Sequence, residues 1–237
     1  MSTIDTSPSN NGRGSDAWLQ SWTHLGIARC SPGYCRVTFD HPPSNAITAT
    51  TVMELAELVD LIHDDADLNV VVFDSANPRF YLTHDDTGHE PSPTAPPPLG
   101  PSAVRAWHEL IARLSHAPAV SIAPIRGQVG GAGIEFVLAC DLRFASLESA
   151  LLGQFKVGAG PVPGSGSMTR LSRMAGRERA LEILLVGDEL DARRAEQYGC
   201  VNRLIPDDRL DDEIDRVASR LAHLDHDAIA RTKAAVG

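Results

Sequence analysis

A run of seven residues, Asn69 to Ser75, constrains the fold of this chain more than any other local feature. The run reads NVVVFDS, and a continuous β-branched stretch of this kind is typical of a strand that is buried on both faces. Parallel sheets, which helices cover on both sides, are built of strands of this kind. A second buried run, AVSIAPI at 119–125, has the same character. The sequence therefore predicts an α/β protein with a parallel sheet.

Helical and strand patterns alternate along the rest of the chain. Two short runs, 26–30 and 35–39, meet at the turn dipeptide Pro32-Gly33 and predict a hairpin. Apolar residues at helical spacing predict an amphipathic helix over 47–63, with Thr50 or Thr51 as its N-cap. Further helices are predicted over 102–116, 165–174, 177–186 and 191–198, and two more follow from about residue 207.

The length of 237 residues suits one large domain or two small ones, and the continuous alternation favours one. Residues 1–16 are rich in Ser, Asn and Gly and predict a flexible tail, which leaves 17–237 as the folded domain. Between 76 and 101 lie seven prolines, and we expect an ordered first third of this loop followed by a mobile remainder.

The composition excludes several classes of protein. A formal net charge of −10 argues against nucleic acid or an anionic membrane surface as partner. Four scattered cysteines predict free thiols in a reducing compartment, although Cys30 and Cys35 could also face each other across the hairpin. The N-terminus has neither a basic start nor an apolar run, so we expect a cytoplasmic protein.

A glycine-rich turn is the most informative local motif. Gly127, Gly130, Gly131 and Gly133 lie between a predicted strand and a predicted helix, and Glu135 follows them. Neither a dinucleotide fingerprint nor a Walker loop matches this spacing. The remaining interpretation is a turn that presents backbone N–H groups at a helix N-terminus, where they can hold an oxyanion. Glu135 is then either a general base beside that site or a residue that complements the helix dipole.

The segment PIRGQVGGAGIEFVLACDLRFAS resembles the signature of the crotonase superfamily, the enoyl-CoA hydratases and isomerases. The resemblance runs from about Gly26 to the C-terminus and includes PPSNAIT, VVVFDSANPRFYLTHDD and LLGQFKVGAGPVPGSGS. A spaced series that is characteristic of the family is matched by Gly176, Ala180, Leu185, Gly187, Ala192, Ala195, Gly199, Val201 and Asn202.

The resemblance implies a crotonase-like spiral of ββα units to about residue 205, with a C-terminal helical region over 206–237. It implies an acyl thioester of coenzyme A as the ligand, no tightly bound cofactor, and a homotrimer or dimer of trimers. The chemistry shared by the family is a thioester enolate held by two backbone N–H groups. Position by position, the two donors would be His84, in the FYLTHDD loop, and Ala132, in the glycine-rich turn.

The resemblance also implies catalytic and substrate-binding side chains. Family hydratases use two glutamates, and Glu135 matches the first, but Lys156 stands at the second position. Lys156 is one of only two lysines among 21 basic residues. Gly131 is expected to border the substrate, and Arg79 either meets a coenzyme A phosphate or is a solvated cation.

Three functions remain open from the sequence. The first is hydration, dehydration or double-bond isomerisation of an enoyl-CoA with Glu135 as principal acid/base. The second is decarboxylation, C–C cleavage or cyclisation, with Lys156 or His84 holding a carboxylate or moving protons. The third is a non-catalytic subunit that binds an acyl thioester. The cluster His84, Asp85, Asp86, His89 and Glu90 could suggest a metal, but residues within one loop are a weak signal, and no metal is expected.

Overall fold

The computed structural model describes Trp18 and residues 21–83, 99–153 and 164–236. The predicted N-terminal tail and most of the proline-rich loop lie outside these residues, so those two predictions are not tested. In the part of the chain that the structure describes, no helix is long and apolar enough to cross a membrane.

The described strands form two sheets. The larger sheet has six strands, which lie in the order β1 (Leu25–Ser31), β2 (Tyr34–Phe39), β3 (Val70–Ser75), β5 (Val120–Ile125), β7 (Leu142–Ser146) and β10 (Arg203–Ile205). The smaller sheet has four strands, which lie in the order β4 (Phe80–Leu82), β6 (Gln128–Gly130), β8 (Leu151–Gly153) and β9 (Leu190–Asp191).

The predicted parallel sheet is confirmed. β2 and β3 pair in parallel, as do β3 with β5, β5 with β7, and β7 with β10. Only the predicted hairpin, β1 with β2, is antiparallel in this sheet. Cys35 lies opposite Arg29 in that hairpin, and Cys30 and Cys35 are free thiols.

Helices connect the strands and cover the sheets. They are α1 (Ala49–Asp64), α2 (Pro101–Ser115), α3 (Ala132–Ala139), α4 (Ser167–Ala175), α5 (Arg177–Leu181), α6 (Ala192–Gln197), α7 (Leu210–Ala222) and α8 (His226–Val236). The single helix predicted over 177–186 is instead α5 followed by a π-helical segment, Glu182–Val186.

The N-cap prediction for α1 is wrong. Thr48 is the cap, its hydroxyl accepts a hydrogen bond from the Thr51 N–H, and the Thr51 hydroxyl accepts one from the Thr48 N–H. The chain is still extended at Thr48 because Ala46 forms a bridge with Thr83 just before it. This tertiary contact decides where the helix begins.

The ββα spiral is visible in the order of the elements. Three turns, β3-β4-α2, β5-β6-α3 and β7-β8-α4, each contribute one strand to the larger sheet, one to the smaller sheet and then a helix. Each of these turns therefore extends both sheets by one strand, and the helices α2 and α3 lie in contact. Aromatic rings fill the space beneath them, with Phe136 of α3 edge-on to Phe39 and Phe73 at centroid distances of 5.4 and 5.1 Å.

The last two helices lie against the larger sheet. Leu210, Ile214 and Ala218 of α7 are buried in a second apolar cluster with residues of β2, β3, β5 and β7. Lys233 of α8 donates a hydrogen bond of 2.7 Å to the Ala119 carbonyl. The predicted C-terminal helical region is thus an integral layer of the fold.

Asn45 explains why the PPSNAIT segment matters to the architecture. It is buried and has φ +52, a left-handed conformation that asparagine tolerates better than most residues. Its amide nitrogen donates to the Ser75 hydroxyl at 2.8 Å and to the Tyr81 carbonyl at 3.2 Å, and its side-chain oxygen accepts from the His41 N–H. One side chain thereby joins the ends of β2 and β3 to β4.

Candidate active site

The predicted glycine-rich turn lies between β5 and α3, but Gln128–Gly130 within it form the short strand β6, which the sequence did not predict. Gly131 precedes the helix with φ +56, and Gly127 has φ +64. A Cβ on Gly127 would lie 2.4 Å from the backbone of Arg79, at the start of β4. Glycine is favoured at both positions because an L side chain rarely adopts this backbone conformation.

Gly133 allows α3 to rest directly on β4. A Cβ at this position would lie 2.1 Å from the carbonyl oxygen of Leu82, which is closer than any non-bonded contact permits. Leu82 is the last residue of β4, and His84 follows two residues later. The two segments that the family resemblance names as sources of the oxyanion donors are therefore in backbone contact at Gly133.

Glu135 lies in the first turn of α3, as predicted, and only 4% of it is exposed. Three donors surround its carboxylate. The Trp107 indole N–H donates to Oε2 at 2.9 Å, the Ser165 hydroxyl donates to Oε2 at 2.8 Å, and the Gly164 N–H donates to Oε1 at 3.0 Å. A buried acid with three donors is held in one orientation, which suits either a positioned acid/base or a structural carboxylate.

Arg170 of α4 holds the loop that carries Gly164 and Ser165 in place. Its guanidinium donates to the Ser165 carbonyl and, at 3.1 Å, to the Ser115 hydroxyl at the end of α2. Burial lowers the pKa of Arg170, while the negative charge of Glu135 acts in the opposite direction. Arg170 therefore ties the loop before α4 to α2 within electrostatic reach of the carboxylate.

Arg143 is buried and lies at the C-terminal end of α3. Its guanidinium donates to the carbonyls of Cys140 and Cys200, the latter at 2.8 Å. Burial lowers the pKa of Arg143. These contacts hold the C-terminal end of α3 against the segment before β10.

Sequence reasoning missed Trp107, Ser165 and Arg170. The signal for Trp107 is its place on the apolar face of α2, because a buried indole N–H needs a hydrogen-bond partner. The signal for Ser165 is its place between two glycines in PGSGS, where a turn forces unusual backbone angles. Neither signal identifies Glu135 as the partner.

Of the five other residues predicted for the site, three lie within the described part of the chain. Ala132 is the first residue of α3 and is buried, with Gly131 immediately before it. Arg79 is exposed, and its guanidinium lies 5.4 Å from the centroid of the Phe80 ring. His84 and Lys156 lie outside the described residues, as does the rest of the His/Asp cluster near His84. Among the described residues, no group of three or more His, Cys, Asp or Glu side chains is placed to hold a metal ion.

Asp141 is a helix-end residue that connects α3 to β5 and α8. It lies just after α3, and its Oδ2 accepts hydrogen bonds from the Ser121 hydroxyl at 2.8 Å and from Lys233 Nζ at 2.6 Å. The second lysine of the chain therefore anchors α8 to the residue that follows the helix bearing Glu135.

Comparison with known proteins agrees with this architecture. A protein from Dictyostelium discoideum assigned as a mitochondrial enoyl-CoA hydratase is 29% identical over 201 residues, which cover 84% of this chain and 70% of that protein. The 1,2-epoxyphenylacetyl-CoA isomerase of Escherichia coli is 27% identical over 198 residues, covering 83% and 75% of the two chains. A crystal structure from Streptomyces avermitilis that carries an enoyl-CoA hydratase assignment superposes with a TM-score of 0.80 at 40% identity, covering 92% of this chain and 78% of the other.

The family profile described as enoyl-CoA hydratase/isomerase matches residues 29–237, almost the whole length that the ββα spiral and the C-terminal helices occupy. With Glu135 in the first turn of the helix after the glycine-rich turn, the chain belongs to the enoyl-CoA hydratase/isomerase family of the crotonase superfamily.

Proposed function

We propose that this protein forms a thioester enolate from an acyl-CoA and uses Glu135 to move the proton, as in hydration, dehydration or double-bond isomerisation of an enoyl-CoA. The observation that carries the proposal is the position of Glu135. It is a buried carboxylate whose orientation three donors fix, and it lies in the first turn of α3, three residues after Ala132, the proposed enolate donor. A general acid/base needs this combination of fixed orientation and closeness to the reacting atoms.

The enolate oxygen would be held by backbone N–H groups of Ala132 and His84. The first N–H groups of a helix have no acceptor within the helix, so the Ala132 N–H is a donor of the required kind. Donors that are already in place stabilise charge in the transition state without reorganisation. The contact of Gly133 with Leu82 supports the pairing of these two donors, because it brings their segments together.

Coenzyme A would enter as part of the substrate. Arg79 is the candidate for a phosphate contact, since it is exposed near the start of β4 and a guanidinium binds phosphate well. Gly131 would border the thioester because it lacks a side chain. We propose a homotrimer or a dimer of trimers as the assembly, which native mass spectrometry tests directly.

The test combines turnover with proton exchange. We expect the protein to convert at least one member of a chain-length series of 2-enoyl-CoAs, followed by loss of the enoyl absorbance. We also expect it to exchange the α-protons of butyryl-CoA with D₂O, followed by NMR, because exchange reports enolate formation whatever reaction comes next. Binding of these thioesters by calorimetry with neither turnover nor exchange would instead indicate the non-catalytic subunit.

Lys156 is the observation that favours a second candidate function. A cation where family hydratases have their second acid suits decarboxylation, C–C cleavage or cyclisation, in which a lysine holds a carboxylate or transfers a proton. Lys156→Glu distinguishes the candidates. If the lysine belongs to the native reaction, the substitution abolishes that reaction; if the site is a hydratase that has lost its second acid, the substitution raises hydration of an enoyl-CoA above that of the unmodified protein.

A further inference from the structure

We propose that Trp107 and Ser165 are positioning residues for Glu135, and that by occupying Oε2 they make Oε1 the oxygen that exchanges the proton with the substrate. This inference rests on the proposed role of Glu135 as acid/base. Neither residue is expected to touch the substrate, so both act only through the carboxylate.

The distribution of donors over the two oxygens supports this division. A carboxylate oxygen has about two lone-pair directions. Oε2 accepts from both Trp107 Nε1 and Ser165 Oγ, at 2.9 and 2.8 Å. Among the described residues, Oε1 accepts only from the Gly164 N–H, at 3.0 Å. Within the part of the chain that the structure describes, Oε2 is therefore filled, whereas Oε1 keeps an acceptor direction for the proton.

Trp107 is suited to hold an anion without competing for its proton. The indole N–H can donate but cannot accept, so it never takes the proton from Glu135. Only 3% of Trp107 is exposed. The centroid of its ring lies 6.4 Å from that of Phe136, which is on the same helix as Glu135. Phenylalanine is also an apolar aromatic residue, but it lacks the N–H that Trp107 donates to the carboxylate.

Ser165 is held in a conformation that serine seldom adopts. Its φ is +55, and the next residue, Gly166, has φ +74. A non-glycine residue in this region is strained, and such strain persists only where the surroundings enforce it. Arg170 donates to the Ser165 carbonyl, and the Ser167 hydroxyl donates to the Gly164 carbonyl at 2.8 Å. Glycine would occupy position 165 with less strain, but it could not donate to Glu135.

This strain makes Ser165→Gly a direct test, because relief of the backbone strain opposes the loss of the hydrogen bond. We expect the Tm to change by less than about 4 °C, while kcat and the α-proton exchange rate fall about 10- to 100-fold through misorientation of the carboxylate. KM should stay within a factor of about two, since substrate contacts are unchanged. Trp107→Phe should lower kcat in the same way.

Trp22→Phe is the matched control for the indole. The Trp22 N–H is buried and has no hydrogen-bond partner among the described residues, so its loss should leave kcat unchanged. A second control combines Ser165→Gly with Glu135→Ala. A residue that acts through Glu135 has no further effect once Glu135 is gone, so the double variant should match Glu135→Ala within about twofold.

The outcomes separate this inference from the proposed function. If Glu135→Ala abolishes exchange while Ser165→Gly and Trp107→Phe leave kcat intact, the positioning role is wrong and the acid/base role stands. A fall in Tm without a change in kcat would assign both residues to stability alone and would also overturn the inference. If Glu135→Ala still exchanges the α-protons of butyryl-CoA, the proposed acid/base role of Glu135 is wrong, whatever the other two variants show.

Discussion

Glu135→Gln should lower the turnover of an enoyl-CoA by about 10²- to 10⁴-fold, the usual contribution of a positioned acid/base. The amide has nearly the shape of the carboxylate but cannot take up the proton. Binding of the thioester does not depend on that proton, so KM should change little. The measurements are kcat and KM for the best enoyl-CoA, together with α-proton exchange of butyryl-CoA.

This substitution also has a cost in stability. The amide offers one acceptor oxygen to three donors, so its NH₂ group must face at least one N–H or O–H, at a cost of about 1–3 kcal/mol. Activity is therefore measured well below the Tm of the variant. Glu57→Gln, at an exposed position of α1, is the control and should match the unmodified protein. Turnover above a tenth of the unmodified rate in Glu135→Gln would place the acid/base elsewhere.

Gly133→Ala should reduce both stability and activity. The added methyl group would lie 2.1 Å from the Leu82 carbonyl oxygen and 2.9 Å from its carbon, and neither backbone atom can rotate away. Helix α3 must shift, and we expect a loss of about 3 kcal/mol in the free energy of unfolding. Because α3 carries Ala132 and Glu135, a displacement of about 1 Å should also cost about 10²-fold in kcat.

Gly26→Ala is the matched control for this prediction. A Cβ on Gly26 meets its nearest atom, Thr38 Cβ, at 3.7 Å, which is an ordinary contact. Urea denaturation compares the two variants, and Gly26→Ala should lie within about 0.5 kcal/mol of the unmodified protein. An alanine at 133 that is tolerated equally well would show that α3 and β4 are not in rigid contact.

The sequence predicts the local parts of this site well. Strand runs such as NVVVFDS have the β-branched composition that is typical of a buried parallel strand, and glycine spacing places Glu135 in the first turn of α3. These features depend on neighbours within a few residues. The resemblance to the crotonase superfamily added the fold, because its motifs cover nearly the whole chain.

The contacts of Glu135 could not be predicted in the same way. Its side-chain donors are 28 and 30 residues distant along the chain, on α2 and in the loop before α4. Only the packing of the spiral brings them together. A contact between distant segments also explains why the N-cap of α1 was predicted wrongly. The bridge of Ala46 with Thr83 keeps the chain extended up to Thr48.

The contact between Gly133 and Leu82 has an evolutionary consequence. It is made by main-chain atoms, so the spacing of the two segments does not depend on which side chains surround them. Mutations can then exchange side chains around this contact without moving Leu82 or the Ala132 N–H that we propose holds the enolate. Descendants of one ancestral chain can thereby acquire new reactions while they inherit the same intermediate.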